Sequence, residues 1–83
     1  MSRFFGIAIG LYYSEHGRPH FHAFYGECDA SIDIENGEII SGQLPTRALA
    51  LVAEWQTAHR DELRENWQRA RQREPLRKIA PLE

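Results

Sequence analysis

From Arg3 to Tyr13 the chain alternates in a two-residue period. Phe5, Ile7, Ile9, Leu11 and Tyr13 fall on one side of an extended strand, and Phe4, Gly6, Ala8, Gly10 and Tyr12 on the other. The first set predicts a core face; the second leaves a shallow floor. Ser14 to Pro19 is polar and holds Gly17, so it reads as a loop. His20 to Tyr25 is a second strand, and Gly26-Glu27 a two-residue turn with glycine at its first central position. Asp29, Ser31, Asp33 and Glu35 then alternate with Ala30, Ile32 and Ile34, the pattern of a half-buried strand. Asn36-Gly37 predicts another tight turn, and Glu38 to Ser41 a short last strand. Turn length sets register. Tyr25 should face Cys28, Ala23 face Ala30, and Phe21 face Ile32. On the opposite side Phe24 pairs with Asp29, His22 with Ser31, and His20 with Asp33. The second turn would pair Ile34 with Ile39.

The period then changes. Pro45 suits the first turn of a helix, and Leu44, Ala48, Leu51, Val52, Trp55, Ala58, His59, Leu63, Trp67 and Ala70 recur at steps of three and four. Pro75 ends the pattern. A helix over 45–73 would reach roughly 43 Å at ~1.5 Å per residue, well beyond strands of this length. Its second half must overhang or turn, and Thr57 to His59 is where a kink could fall, although neither Gly nor Pro marks one. The predicted fold is α+β: an antiparallel β-meander of three to four strands (sheet 3–41) packed on one long, kinkable C-terminal helix. An extended tail, 75–83, follows, and a chain of 83 residues forms one domain, 1–83.

Composition narrows the class. No apolar run approaches the roughly 20 residues of a membrane span, so a soluble protein without membrane attachment is expected. The start reads as strand rather than as a secretion leader. Cys28 is the lone cysteine, which excludes an internal disulfide and fits a reducing cytoplasm. The net charge of −2 is uneven: residues 1–59 are acidic and residues 60–78 basic. An offset this small is what a solvated helix produces, and a surface for RNA or an acidic partner is the sharper reading.

Pro19-His20-Phe21-His22 is the feature that could carry chemistry. Histidines two apart on a strand share a face, roughly 6.5–7 Å apart at Cα. The expected register sets Asp33 beside His20, on the face away from the helix and next to the Gly6-Ala8-Gly10 floor. Four uses fit. The imidazoles could serve only as cross-strand partners that pin register. His20 and His22 could bind Zn²⁺, with Asp33 as third ligand or orienting carboxylate and His16 in reach from the loop. His20, His22 and Asp33 could act as a catalytic acid–base set. Imidazolium with Arg18, Tyr12 and Phe24 could hold a phosphate or stack on a base. Composition and spacing leave open whether the protein is an enzyme.

On the helix, Trp55, His59, Asn66 and Trp67 share one stripe, the reading of choice for tryptophans being core or interface. Asn66 needs partners for its amide, from the tail or another chain. Leu63, Asn66 and Trp67 lie on the overlong half, so they are the residues expected to meet a partner.

The run Pro19-His20-Phe21-His22-Ala23-Phe24-Tyr25-Gly26 resembles the prokaryotic domain-of-unknown-function family 4160. So do Asp33-Ile34-Glu35-Asn36-Gly37-Glu38, Leu44-Pro45, Trp55, His59, Leu63, Asn66-Trp67 and Ile79-Ala80-Pro81-Leu82. The resemblance implies a small stand-alone protein whose gene context is like that of toxin–antitoxin pairs. It assigns no catalytic residue. Phe24 stands where the family commonly has a basic residue, which weakens schemes needing a cation there, and Ala80 replaces a frequent acidic one. The expectation is one half of a toxin–antitoxin-like pair working through protein contacts, with a cognate small protein or a second copy as partner. The alternatives are a small ribonuclease-like enzyme and a metal-binding module.

Overall fold

The computed structural model describes residues 1–12 and 17–82. Tyr13, expected on the core face, and His16, the candidate loop ligand, lie outside them. Five strands form one antiparallel sheet in sequence order: β1 (Ser2–Phe4), β2 (Ile7–Gly10), β3 (His20–Tyr25), β4 (Cys28–Asp33) and β5 (Ile39–Gly42). Two helices follow, α1 (Thr46–Ala58) and α2 (Arg60–Arg71). The class is α+β as expected, but the sheet has more strands and the helix is divided. No helix among the described residues is long and apolar enough to cross a membrane.

The extra strand arises at Phe5-Gly6. Both residues have positive φ (48° and 80°), the requirement of a type I′ hairpin turn. The chain reverses there, so Phe4 pairs with Ile7 and both enter the core. Phe5, expected in the core, is thrown outward at 61% exposure. Alternation of apolar residues ran through the turn because the turn itself holds an aromatic.

The β3–β4 hairpin has the expected register at all six pairs, from His20↔Asp33 to Tyr25↔Cys28. Gly26, at φ 58°, supplies the positive φ of its turn. The following hairpin does not pair Ile34 with Ile39. Ile39 sits opposite Ile32, and a bulge separates the Ser31 and Ile32 pairings. The loop is wider because Asp33 organises it: Asp33 Oδ1 accepts the backbone N–H of Glu35 (2.7 Å) and of Asn36 (3.2 Å). A two-residue displacement preserves the face, so Ile34 remains fully buried.

α1 covers the apolar face, with Val52 and Trp55 fully buried and the Trp55 ring centroid 5.6 Å from that of Phe4 and 5.7 Å from that of Phe21. The helix breaks at His59 (φ −122°, ψ 25°) without Gly or Pro. His59 N–H still donates to Trp55 O (3.0 Å), its carbonyl accepts from Leu63 N–H (2.9 Å), and its Nδ1 meets Glu62 Oε1 at 2.6 Å. α2 then caps the end of the sheet where β1 and β3 begin and β4 ends. Asn66 reaches Met1 Sδ (3.1 Å), and Arg64 grips both carboxylate oxygens of Glu35, with Nε 2.8 Å from Oε2. Leu63 and Trp67 are therefore 0% and 2% exposed. Of the two expected courses, overhang or turn, the chain takes the turn.

The tail completes the core. Asn66 Oδ1 accepts Arg77 N–H and Asn66 Nδ2 donates to Arg77 O, both at 2.9 Å. Trp55 Nε1 donates to Ala80 O at 2.8 Å, and Ile79 between them is buried. The amides and indole of the helices thus hold an otherwise irregular backbone.

Candidate functional site

β3 presents His20, His22 and Phe24 on the side of the sheet opposite Phe21 and Ala23, as strand parity demands. Their neighbours follow from register: Gly10 and Ser31 flank His22, and Ala8 and Asp29 flank Phe24. Gly10 has no side chain, and the Phe24 ring lies within 4 Å of where its Cβ would stand. Ring centroids run across this face in a continuous row. Tyr12 is 4.6 Å from His22, His22 is 6.4 Å from Phe24 in a stacked arrangement, and His20 is 5.1 Å from His22, edge to face. Tyr12 is 53% exposed, while His20, His22 and Phe24 are half-buried.

The row is not bare along its whole length. At its far end the His20 ring lies 5.1 Å from the indole of Trp67, because α2 folds over the sheet end. His20 is thus wedged between His22 and the core. Its Nδ1 is 2.9 Å from Arg18 O, and His22 Nδ1 is 3.3 Å from Ser31 Oγ, the cross-strand neighbour.

Asp33 lies opposite His20 in register, yet its carboxylate works elsewhere. Oδ1 takes the two loop amides, and Oδ2 takes Arg18 Nε at 2.8 Å, at 10% side-chain exposure against 58% for Arg18. Two backbone N–H groups and a guanidinium satisfy a carboxylate's acceptor sites. The carboxylate expected to serve as catalytic group or metal ligand thus builds the loop and anchors Arg18. Among the described residues, no group of three or more His, Cys, Asp or Glu could hold a metal ion. Arg18 in turn gives its Nε to Asp33.

Leu63, Asn66 and Trp67, expected to meet a partner, belong to the core and to the tail contacts. Asn66 is fully buried with both ends of its amide engaged on Arg77. Among the described residues, three of the basic stretch are ion-paired. Arg64 pairs with Glu35 and Asp61, while Arg69 and Arg77 both approach Glu65. The Arg64 guanidinium holds Glu35 below the usual carboxylate range, and the Glu35 hydrogen bonds raise Arg64 above the usual guanidinium value.

Sequence reasoning missed the opposite end of the sheet. Phe5 in the β1–β2 turn and Tyr25 at the end of β3 are exposed, at 61% and 39%. With Arg47, Ala48 and Leu51 of α1 they line a depression of about 310 Å³. The signal lay in Phe5-Gly6, an aromatic–glycine pair that period-two alternation absorbed into a strand.

A five-stranded meander with helices on one face and a row of imidazole and aromatic rings on the other defines a small α+β domain. A family model covers residues 6–68, and the chain belongs to that family, the domain of unknown function DUF4160. No curated protein and no solved structure matches the chain.

Proposed function

We propose that this protein acts by binding a second protein, as one half of a toxin–antitoxin-like pair. The observation that carries the reading is the exposure of two large aromatics, Phe5 and Tyr25, around one depression, while the rest of the apolar face is covered by helices and tail. Two such side chains left in water around one depression make a surface suited to association. The contact residues differ from those expected on the helix, since Leu63 and Trp67 are core. The lone, half-buried Cys28 thiol suits a reducing cytoplasm as the place of action. The test is co-expression of the full chain with the products of its flanking genes, read by size-exclusion chromatography with light scattering. A stable hetero-complex is expected; a chain that elutes as monomer in every combination overturns the reading.

A second reading, a ribonuclease-like or RNA-binding face, draws on the ring row. Tyr12, His22 and Phe24 offer π-faces and imidazole nitrogens on one half-exposed surface, which suits stacking of unpaired bases. Acid–base work would fall to His20 and His22 themselves, with Asp33 engaged on Arg18. The pairing of Arg64 and Arg69 on α2 reduces the positive charge that would draw RNA, which ranks this reading second. Replacing both histidines by Gln should abolish RNA cleavage or growth inhibition; either activity surviving that change removes the histidines from the mechanism.

A further inference from the structure

We infer that the Phe5–Tyr25 end of the sheet is a docking surface for an acidic segment of a partner protein that carries an apolar side chain; the inference rests on the pairing reading above. Three independent features converge on Phe5. It is the most exposed of the large hydrophobics, at 61%. It occupies the first central position of the β1–β2 turn with φ at 48°, a left-handed conformation that L-residues avoid and that Asn, Asp or Gly fill in turns of this kind. An aromatic at this position is costly in solvent exposure and in backbone conformation together. Neither cost serves the core, which Phe4 and Ile7 complete from either side of the turn. Strain concentrated at an exposed residue marks a position kept for contact.

The third feature is charge. Phe5 stands between two depressions: about 310 Å³ bounded by Tyr25, Arg47, Ala48 and Leu51, and about 340 Å³ bounded by Arg3, Phe4, Gly6 and Ile7. Each therefore has an apolar floor and one arginine, and the first is large enough for a leucine or aromatic side chain. Arg3 and Arg47 are exposed, and neither pairs with a carboxylate among the described residues, in contrast to Arg18, Arg64, Arg69 and Arg77. Arg47 also lies in the first turn of α1, which holds no acidic residue to offset it. Glu27, exposed in the neighbouring β3–β4 turn, sets a negative boundary beyond Tyr25, so the partner's acids belong toward Arg47 and, across the Phe5 turn, toward Arg3 on the other face. Two exposed arginines beside exposed aromatics make this a cationic, apolar spot that complements an acidic segment with an apolar side chain.

The test is selection of random twelve-residue peptides displayed on phage against the full-length chain, followed by titration of the enriched peptides. Enriched sequences should hold Leu, Phe or Trp beside two or more acids. Their affinity should fall at least tenfold on Phe5→Asn, severalfold on Arg47→Glu or Arg3→Glu, and should weaken with salt. Phe5→Asn keeps or raises the thermal midpoint, because Asn accepts the turn conformation, so loss of binding cannot be assigned to unfolding. Absence of enrichment, enrichment without acids, or equal binding by Phe5→Asn overturns the inference. A dimer of this chain that Phe5→Asn disperses overturns the acidic partner in favour of a second copy. A hetero-complex in co-expression that survives Phe5→Asn removes this surface while the pairing reading stands; failure of any hetero-complex to form removes the reading itself.

Discussion

Gln56 and Gly37 are in contact so close that a β-carbon on Gly37 would stand 2.8 Å from Gln56 Oε1. Gln56 is 1% exposed, and its Nε2 donates to Ile34 O at 2.6 Å, joining α1 to the loop after β4. Gly37 itself has φ at 74°. Gly37→Ala therefore meets a left-handed backbone and a buried amide at once. A loss of roughly 2–3 kcal/mol is expected, from the backbone conformation and the disturbed buried hydrogen bond. Urea unfolding should show a lower midpoint at unchanged slope, and a variant as stable as the parent would show that loop and helix are not in this contact.

Asn66 gives the tail its place. Substitution by Ala removes both hydrogen bonds to Arg77 and the donation to Met1 Sδ, leaving part-buried backbone groups of Arg77 without these partners. The expected cost is about 2–3 kcal/mol. Amide exchange should accelerate in 75–80 well before it does in β3 and β4, because the tail is held by few groups. Uniform acceleration across the chain would mean that the tail is not a separately held element.

These two contacts also show what the sequence could and could not disclose. The β3–β4 register was legible because Gly26 supplied the one residue that its turn requires, and parity then set every side chain from His20 to Asp33. The Asn36-Gly37 signal misled by two residues, since the Asp33 carboxylate competes for the loop amides and widens the turn. The first hairpin was hidden because Phe5 is a residue that its turn type disfavours. A turn of the helix was legible from its length against the strands, but the break at His59 carries no glycine or proline; its direction is fixed by where α2 must go to bury Leu63 and Trp67, a tertiary cause. The histidines were placed on their face correctly, but the company of His20, Trp67 on one side and an Asp33 engaged elsewhere, depended on that same fold-back.

The Glu35–Arg64 pair predicts a pH dependence of defined sign. Arg64 hydrogen bonding lowers the Glu35 pKa in the folded chain. A depressed carboxylate contributes stability above its ordinary range and loses it as pH falls through the folded value. Glu35→Gln should lower the thermal midpoint slightly at neutral pH, and the difference from the parent should vanish in acid below the carboxylate range. The effect is small because both partners are exposed, and high salt should shrink it further. A difference that persists in acid would assign the effect to packing rather than to charge.

Trp67 separates the two faces of the domain most sharply. The overlong helix of the sequence pattern assigned Leu63 and Trp67 to a partner, so their truncation should weaken association without touching the fold. Burial reverses this. Leu63→Ala should cost roughly 2–5 kcal/mol and Trp67→Ala about 3–5 kcal/mol, both read in urea unfolding of the chain alone. Trp67→Phe is the finer probe, because it keeps most of the apolar volume while removing the indole 5.1 Å from the His20 ring. The His20 ring protons should shift in the NMR spectrum as the indole ring current is lost, while those of Phe24, at the other end of the row, stay near their positions. If Trp67→Ala left stability intact and His20 unmoved, α2 would not cap the sheet end, and the wedge that ties the ring row to the core would be gone.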